Sequence, residues 1–141
     1  MIVKFRGIRD ERDIDWFLDR NSITLCNDTT AIFAVDETDK ILAACFMDNW
    51  TETSCQVHLA IDNPLIVRHG FFQEIGSFIF EEGGRLMVHG LVPADNKRAL
   101  SVDKKLGFRE VARLKDAFKR GVDYIVLELR PEDCKFYEYK G

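Results

Sequence analysis

A histidine and an aspartate within one short segment are well suited to moving a proton. Residues Cys55–Asp62 (CQVHLAID) alternate apolar and polar types, which predicts a β-strand with His58 in its middle and Asp62 at its end. Imidazole has an unperturbed pKa near ~6.5, so His58 could act as a general base at neutral pH. Asp62 is a rival base, and His89, on the next predicted strand, is a third candidate.

A second segment, Leu91–Phe108 (LVPADNKRALSVDKKLGF), has the pattern of a strand end, a helix and the start of another strand. Asp95 is a suitable N-cap for a helix that begins near Asn96, because a carboxylate can accept from the free N–H groups of the first turn. Gly107 is predicted to end the helix in the left-handed conformation. The apolar face of this helix is made by Ala99, Val102 and Leu106.

The pattern Asn96…Ala99…Lys105-Leu106-Gly107-Phe108 resembles the fourth helix and following strand of the GCN5-related N-acetyltransferases. The resemblance is specific from His58 to Cys134 and only topological before that. It implies acetyl-CoA as the cofactor, with Asn96 and Ala99 facing it. This half of the chain is most similar to a subgroup seen often in bacteriophage genomes.

The resemblance places Asp103 where the family usually has a tyrosine that protonates the departing thiolate. An ionised carboxylate cannot donate that proton, and it would repel the developing negative charge. Three explanations stay open at this point. Water supplies the proton, Asp103 faces solvent, or the site no longer catalyses.

The remaining cofactor contacts are also implied by the resemblance. Arg68-His69-Gly70-Phe71 matches the loop that binds the pyrophosphate, where a helix N-terminus offers backbone N–H donors. Ala60 and Ile61, with Asp62, are expected to contribute backbone groups that hold the pantetheine and polarise the thioester. Lys104 is one of several helix cations that could meet the adenosine 3′-phosphate. In this fold, loop aromatics such as Trp50, Phe118 and Tyr124 could line the acceptor mouth.

Composition excludes several classes of protein. The chain has 141 residues, 46% of them hydrophobic, and a net charge of −4, so a basic footprint for nucleic acid is absent. No run reaches the ~18 apolar residues that a membrane helix needs, and the N-terminus lacks a signal-peptide pattern. The four cysteines lack metal-binding spacing, which predicts reduced thiols, no metal site and a cytoplasmic location (host cytoplasm if phage-encoded).

The order of predicted elements is β-α-β-β-β-α-β-α-β-β. It indicates one α/β domain over residues 1–141, with a six- to seven-stranded mixed sheet and helices on both faces. Lys40–Met47 is too apolar for an exposed strand and is predicted to be central, whereas Arg113–Gly121 is predicted to be a polar loop. The resemblance adds a V-shaped cleft between the fourth and fifth strands.

The leading hypothesis is an N-acyltransferase in which an unidentified amine, on a small molecule or a peptide, attacks acetyl-CoA directly. Cys55 is near the start of its strand and looks buried, so direct transfer is favoured over a covalent enzyme intermediate. The alternative is a catalytically degenerate protein of the same fold that acts in binding or phage assembly. Asn21–Thr30 leaves little room for the family's usual second helix. The acceptor side is therefore expected to be open or completed by a partner, for example in a homodimer.

Overall fold

The backbone of the protein is organised around a mixed sheet. Its strands are β1 (Lys4–Arg6), β2 (Thr30–Val35), β3 (Ile41–Asp48), β4 (Ser54–Ile61), β5 (Met87–Pro93), β6 (Arg109–Lys119) and β7 (Val122–Leu129). In the computed structural model, which describes residues 1–138, these seven pair in the order β1-β2-β3-β4-β5-β7-β6. Only β4 and β5 run parallel among them. The predicted element order and mixed sheet are confirmed, and residues 139–141 of the predicted domain lie outside the described residues.

Helices cover both faces of the sheet, as predicted. They are α1 (Glu11–Leu18), α2 (Phe71–Gly76, which continues as a π-helical segment over Ser77–Glu82) and α3 (Lys97–Leu106). Phe17 of α1 is fully buried on one face, where its ring stacks on Phe46 with centroids 3.9 Å apart. On the other face α2 buries Phe71 and Ile75 in the larger core. None of the helices within residues 1–138 is long and apolar enough to span a membrane.

The most apolar strand is central, in agreement with the sequence. Every residue of β3 from Leu42 to Asp48 is buried, including the carboxylate of Asp48. The strand lies between β2 and β4 and contributes to both cores, with Cys45 on one face and Phe46 on the other. A strand covered on both faces loses the period-2 pattern, which explains why its sequence is almost continuously apolar.

Several local predictions were wrong. The expected loop Arg113–Gly121 is mostly strand, because β6 continues to Lys119 as the partner of β7. All eleven residues of β6 are exposed at the edge of the sheet, so no apolar face marked the strand in the sequence. The N-cap of α3 is Asn96 rather than Asp95. The irregular stretch predicted after β4 contains a 3₁₀ helix, Pro64–His69.

The C-terminal segment packs where two glycines leave room for it. Gly107 ends α3 at φ +112°, as predicted, and a Cβ there would lie 2.0 Å from the carbonyl oxygen of Asp133. Gly76 similarly faces the ring of Tyr137, whose nearest atom would be 2.3 Å from an added Cβ. The Tyr137 hydroxyl donates to Glu81 at 2.8 Å. The segment therefore ties the end of α3 to the helix that begins at Phe71.

Candidate functional site

The two parallel strands separate partway along their length and open a cleft. β4 and β5 pair at three positions, the last joining Gln56 to His89. Beyond that pair the strands diverge, with Val57–Ile61 on one side and Gly90–Pro93 on the other. A cavity of about 520 Å³ lies between them, closed on one side by α3. This is the V-shaped opening expected between the fourth and fifth strands.

Seven of the predicted site residues come together in the wall of this cavity. They are His58, Ala60, Ile61, Asp62, Asn96, Ala99 and Asp103. The other predicted cofactor residues, Arg68, His69, Gly70, Phe71 and Lys104, lie outside that wall. The diverging part of β4 thus faces the first half of α3 across the cleft.

The predicted phosphate loop lies at the start of α2. Gly70 adopts φ +83°, with open space where a Cβ would be, and its carbonyl oxygen accepts from the Glu74 N–H at 3.0 Å. Arg68 and His69 are exposed in the last turn of the preceding 3₁₀ helix. The Phe71 side chain is fully buried and stacks with Phe5, so only its backbone is available to a ligand.

Asn96 fixes the end of α3 that borders the cleft. Its side-chain oxygen accepts from the Ala99 N–H at 3.2 Å and caps the first turn. The amide side chain is therefore committed to holding the helix, while the residue as a whole still borders the cavity. An asparagine at this position therefore stabilises the start of α3 by capping it, and this role needs no direct contact between its side chain and a cofactor.

Asp103 lies in the wall of the cleft cavity, which also includes the apolar residues Val102, Phe108 and Leu127. Burial raises the pKa of its carboxyl group from 3.8 to about 7, because the site disfavours the charged form. Within residues 1–138 no charged side chain forms an ion pair with it. The raised pKa favours the protonated form of Asp103, and that form is able to donate.

His58 is held by a carboxylate that the sequence reading missed. Its Nε2 lies 3.1 Å from both carboxylate oxygens of Asp48, which is buried at the end of β3. Because a carboxylate only accepts, this contact places a proton on Nε2 and leaves Nδ1 free to accept another. The arrangement is that of a base oriented by an acid.

The other two base candidates are placed less favourably. Asp62 accepts two hydrogen bonds from Arg20, at 2.8 and 2.7 Å, and is thereby held in an ion pair at the cavity rim. His89 lies outside the walls of the cleft cavity, and burial lowers its pKa. Its ring is oriented by no hydrogen bond within residues 1–138, whereas His58 has a buried partner.

A second cavity, of about 400 Å³, is bordered by the segment that follows α1 and by His58. It shares six wall residues with the first: Arg20, Asn21, His58, Leu91, Pro93 and Asn96. The two spaces therefore meet at His58. Phe118 and Tyr124 line the second cavity, whereas Trp50 is absent from its walls and packs against Phe78. Their role at an acceptor mouth stays a prediction.

The segment after α1 supplies wall residues that the sequence reading did not single out. Arg20, Asn21, Ser22, Ile23, Thr24 and Cys26 border the second cavity. Residues 21–29 form no helix in the described part of the chain, in agreement with the prediction that Asn21–Thr30 leaves little room for one. Asn21 donates to the Leu59 carbonyl at 3.4 Å and ties this segment to β4. No His, Cys, Asp or Glu cluster among residues 1–138 has the three members needed to hold a metal ion.

Comparison with solved structures identifies the fold. The spermidine/spermine N-acetyltransferase SpeG from Vibrio cholerae matches with a TM-score of 0.73 at 11% identity, over 91% of this chain and 92% of that one. A protein described as a phosphinothricin N-acetyltransferase matches with a TM-score of 0.68 at 14% identity, over 92% and 98%. No family model and no curated protein sequence matches the chain. The protein therefore has the fold of the GCN5-related N-acetyltransferases.

Proposed function

We propose that this chain transfers an acetyl group from acetyl-CoA directly to an amine. The observation that carries the proposal is the divergence of β4 and β5 into a cavity whose wall holds both His58 and Asp103. One side chain can accept a proton there and the other can donate one. The N-acetyltransferase names of the structural neighbours are consistent with this reading.

The cleft suits the narrow, amide-containing arm of coenzyme A. After Gln56, β4 no longer pairs with β5. The backbone N–H and C=O groups of β4 that face β5 are therefore available to hydrogen-bond with amides in the cavity. Gly90 lies at the point of divergence, where an added Cβ would be 3.4 Å from the Val57 carbonyl oxygen, which is an ordinary van der Waals contact. Ala60, Ile61, Asn96 and Ala99 would border the bound group. When bound, acetyl-CoA supplies a thioester whose C–S bond breaks as the amine forms a new N–C bond.

The phosphates would lie outside this cavity. The N–H groups at the start of α2 are proposed to hold the pyrophosphate, with Arg68, His69 and Gly70 forming the approach and Phe71 contributing backbone. Lys104 is exposed in the last turn of α3 and is proposed to meet the 3′-phosphate. These assignments stay predictions from the sequence pattern, supported by the open space beside Gly70.

Proton transfer is assigned to two side chains. His58, oriented by Asp48, takes the proton that the amine loses. Asp103 donates the proton that the leaving sulfur acquires, and both residues return to their starting protonation through solvent. Asp62 is retained as a secondary candidate base, but its ion pair with Arg20 makes it a poorer acceptor.

A covalent acetyl-cysteine route is less favourable at this site. Cys55 is fully buried, and desolvation raises the pKa of its thiol to about 12. Cysteine attacks as the thiolate, so this residue is a poor nucleophile at neutral pH. Direct transfer needs only that amine and thioester occupy the two cavities that meet at His58.

Thermal unfolding and turnover test the proposal together. Excess acetyl-CoA should raise the unfolding midpoint, because a ligand that binds only the native state stabilises it. Release of CoA should then depend on an added amine. Absence of any shift at saturating acetyl-CoA would overturn the proposed cofactor. A shift without turnover on broad amine and peptide panels would favour the alternative, a binding or assembly protein of this fold. The phage source, the cytoplasmic location and a protein partner stay predictions.

A further inference from the structure

We infer that the acceptor is a primary amine with one positive charge and an apolar body, an arylalkyl or alkyl monoamine. This rests on the proposed function and names the substrate class of the second cavity. The inference comes from the charges and the apolar surface of that cavity.

The charges of the cavity suit a single ammonium group. Among its described wall residues, Arg20 and Asp48 carry the formal charges. The Arg20 guanidinium is neutralised by Asp62 and stacks over Trp16, 3.9 Å from the ring centroid. Asp48 is therefore the one carboxylate among these wall residues, and it holds the His58 ring through Nε2. The other polar side chains of the wall include uncharged amides and hydroxyls: Asn21, Ser22, Thr24, Asn49 and Gln56. One carboxylate attracts one ammonium, whereas a polyamine would bring further positive charges to a wall that offers no second carboxylate among its described residues.

Part of the cavity wall is apolar. Leu91 and Phe118 are each 38% exposed although both are large hydrophobic residues, and both line the cavity. The Phe118 ring packs edge-on against Tyr124, with centroids 5.5 Å apart. An irregular register between Leu114 and Lys119 shapes the hairpin that carries Phe118. An apolar group of the acceptor would cover this surface and remove it from water.

The two features belong to different elements of the cavity wall. The carboxylate and His58 lie at the junction with the cleft, and the aromatic pair is carried by the β6–β7 hairpin. An acceptor that places its nitrogen at His58 would therefore extend its body toward Phe118. A volume of about 400 Å³ accommodates a monoamine with a ring or a short alkyl chain.

The test compares 2-phenylethylamine, hexylamine, ethanolamine and spermidine at one pH, by CoA release and by saturation-transfer NMR. The two apolar amines should have kcat/KM values at least about tenfold above those of ethanolamine and spermidine, as expected for a filled apolar pocket. Phe118→Ala should raise KM for 2-phenylethylamine by about tenfold and leave ethanolamine unchanged. Val111→Ala, an exposed apolar truncation on the same strand outside the cavity wall, serves as the matched control and should change neither.

The NMR arm separates this inference from the proposed function, because amine binding does not require turnover. Saturation transfer to 2-phenylethylamine that is lost in Phe118→Ala supports the inference even if no product forms. Preference for spermidine, for ethanolamine or for a peptide amine would overturn it. So would binding of 2-phenylethylamine that Phe118→Ala leaves unchanged.

Discussion

The imidazole of His58 and the carboxylate of Asp48 form an almost buried pair, with Nε2 3.1 Å from both carboxylate oxygens. The two residues lie on adjacent strands, where Asp48 pairs with Gln56 and Phe46 pairs with His58. Because β3 and β4 are fixed by the surrounding core, the pair is held by the sheet itself. This rigidity is what a general base needs to meet an incoming amine in a defined orientation.

Replacing His58 with glutamine removes the base while preserving a polar side chain of similar size. We expect kcat to fall by about 10²- to 10⁴-fold, the usual contribution of a general base. Acetyl-CoA affinity, measured by titration calorimetry, should stay close to that of the wild type. An unchanged pH–rate profile in the variant would rule His58 out as the base.

Asp48→Asn tests the positioning role separately. The amide can present an N–H to Nε2, which would turn the imidazole to the wrong tautomer, so we expect kcat to fall by roughly ten- to a thousandfold. KM for acetyl-CoA should change little, because Asp48 lies outside the cleft wall. Asp48→Glu, which keeps the carboxylate, is the matched variant and should retain more activity than Asp48→Asn. Equal losses in both variants would indicate a purely structural role.

Asp103 gives a pH dependence with a defined sign. Its pKa of about 7 means that the donating form is lost as pH rises through neutrality, so the rate should have a descending limb there. Asp103→Asn should lower kcat and abolish that limb. Carbon-13 NMR of the carboxyl group checks the pKa without activity, and a value near 4 would contradict the assignment.

The same group affects stability. The folded pKa is raised above 3.8, so the folded state holds more protons than the unfolded one between pH 4 and about 7. The free energy of unfolding therefore falls as pH rises across that window. Asp103→Asn should remove this pH-dependent loss in the free energy of unfolding. Since each unit of pKa shift corresponds to about 1.4 kcal/mol, the loss is at most about 4 kcal/mol. Denaturant titrations at pH 5 and pH 8 measure the free energy of unfolding of both proteins. The stability of the variant relative to the wild type should be higher at pH 8 than at pH 5.

Gly107 is expected to be intolerant of any side chain. Gly107→Ala would combine a left-handed backbone with overlap of the Asp133 carbonyl, and we expect it to cost about 3 kcal/mol or more in urea unfolding. Gly121→Ala is the matched control, since Gly121 has φ +80° with nothing within 4 Å of the added Cβ. It should cost only about 1–2 kcal/mol. Similar losses in both variants would show that the contact with Asp133 contributes little.

The sequence predicted the architecture because the signals for it are local. The apolar run of β3, the alternation of β4 and the glycine at the end of α3 each depend on neighbouring residues. The second half of β6 was predicted as a loop because an edge strand exposed on both faces carries no apolar alternation. The N-cap of α3 was misplaced by one residue because Asp95 and Asn96 are both good capping types.

The site was only partly predictable for a different reason. His58 and Asp103 could be singled out by type and position, but Asp48 reaches His58 only through the register of β3 and β4. The raised pKa of Asp103 depends on burial beside residues from other elements, such as Leu127. Neither property exists until the chain has folded, so spacing along the sequence could not indicate it.

A crystal structure with bound CoA tests the central claim most directly. The account predicts that the pantetheine arm lies between Val57–Ile61 and Gly90–Pro93, with its sulfur near Asp103 and His58. The diverging strands should keep their separation. CoA bound elsewhere on the molecule, or a cleft closed by pairing of β4 with β5 along its full length, would contradict the account.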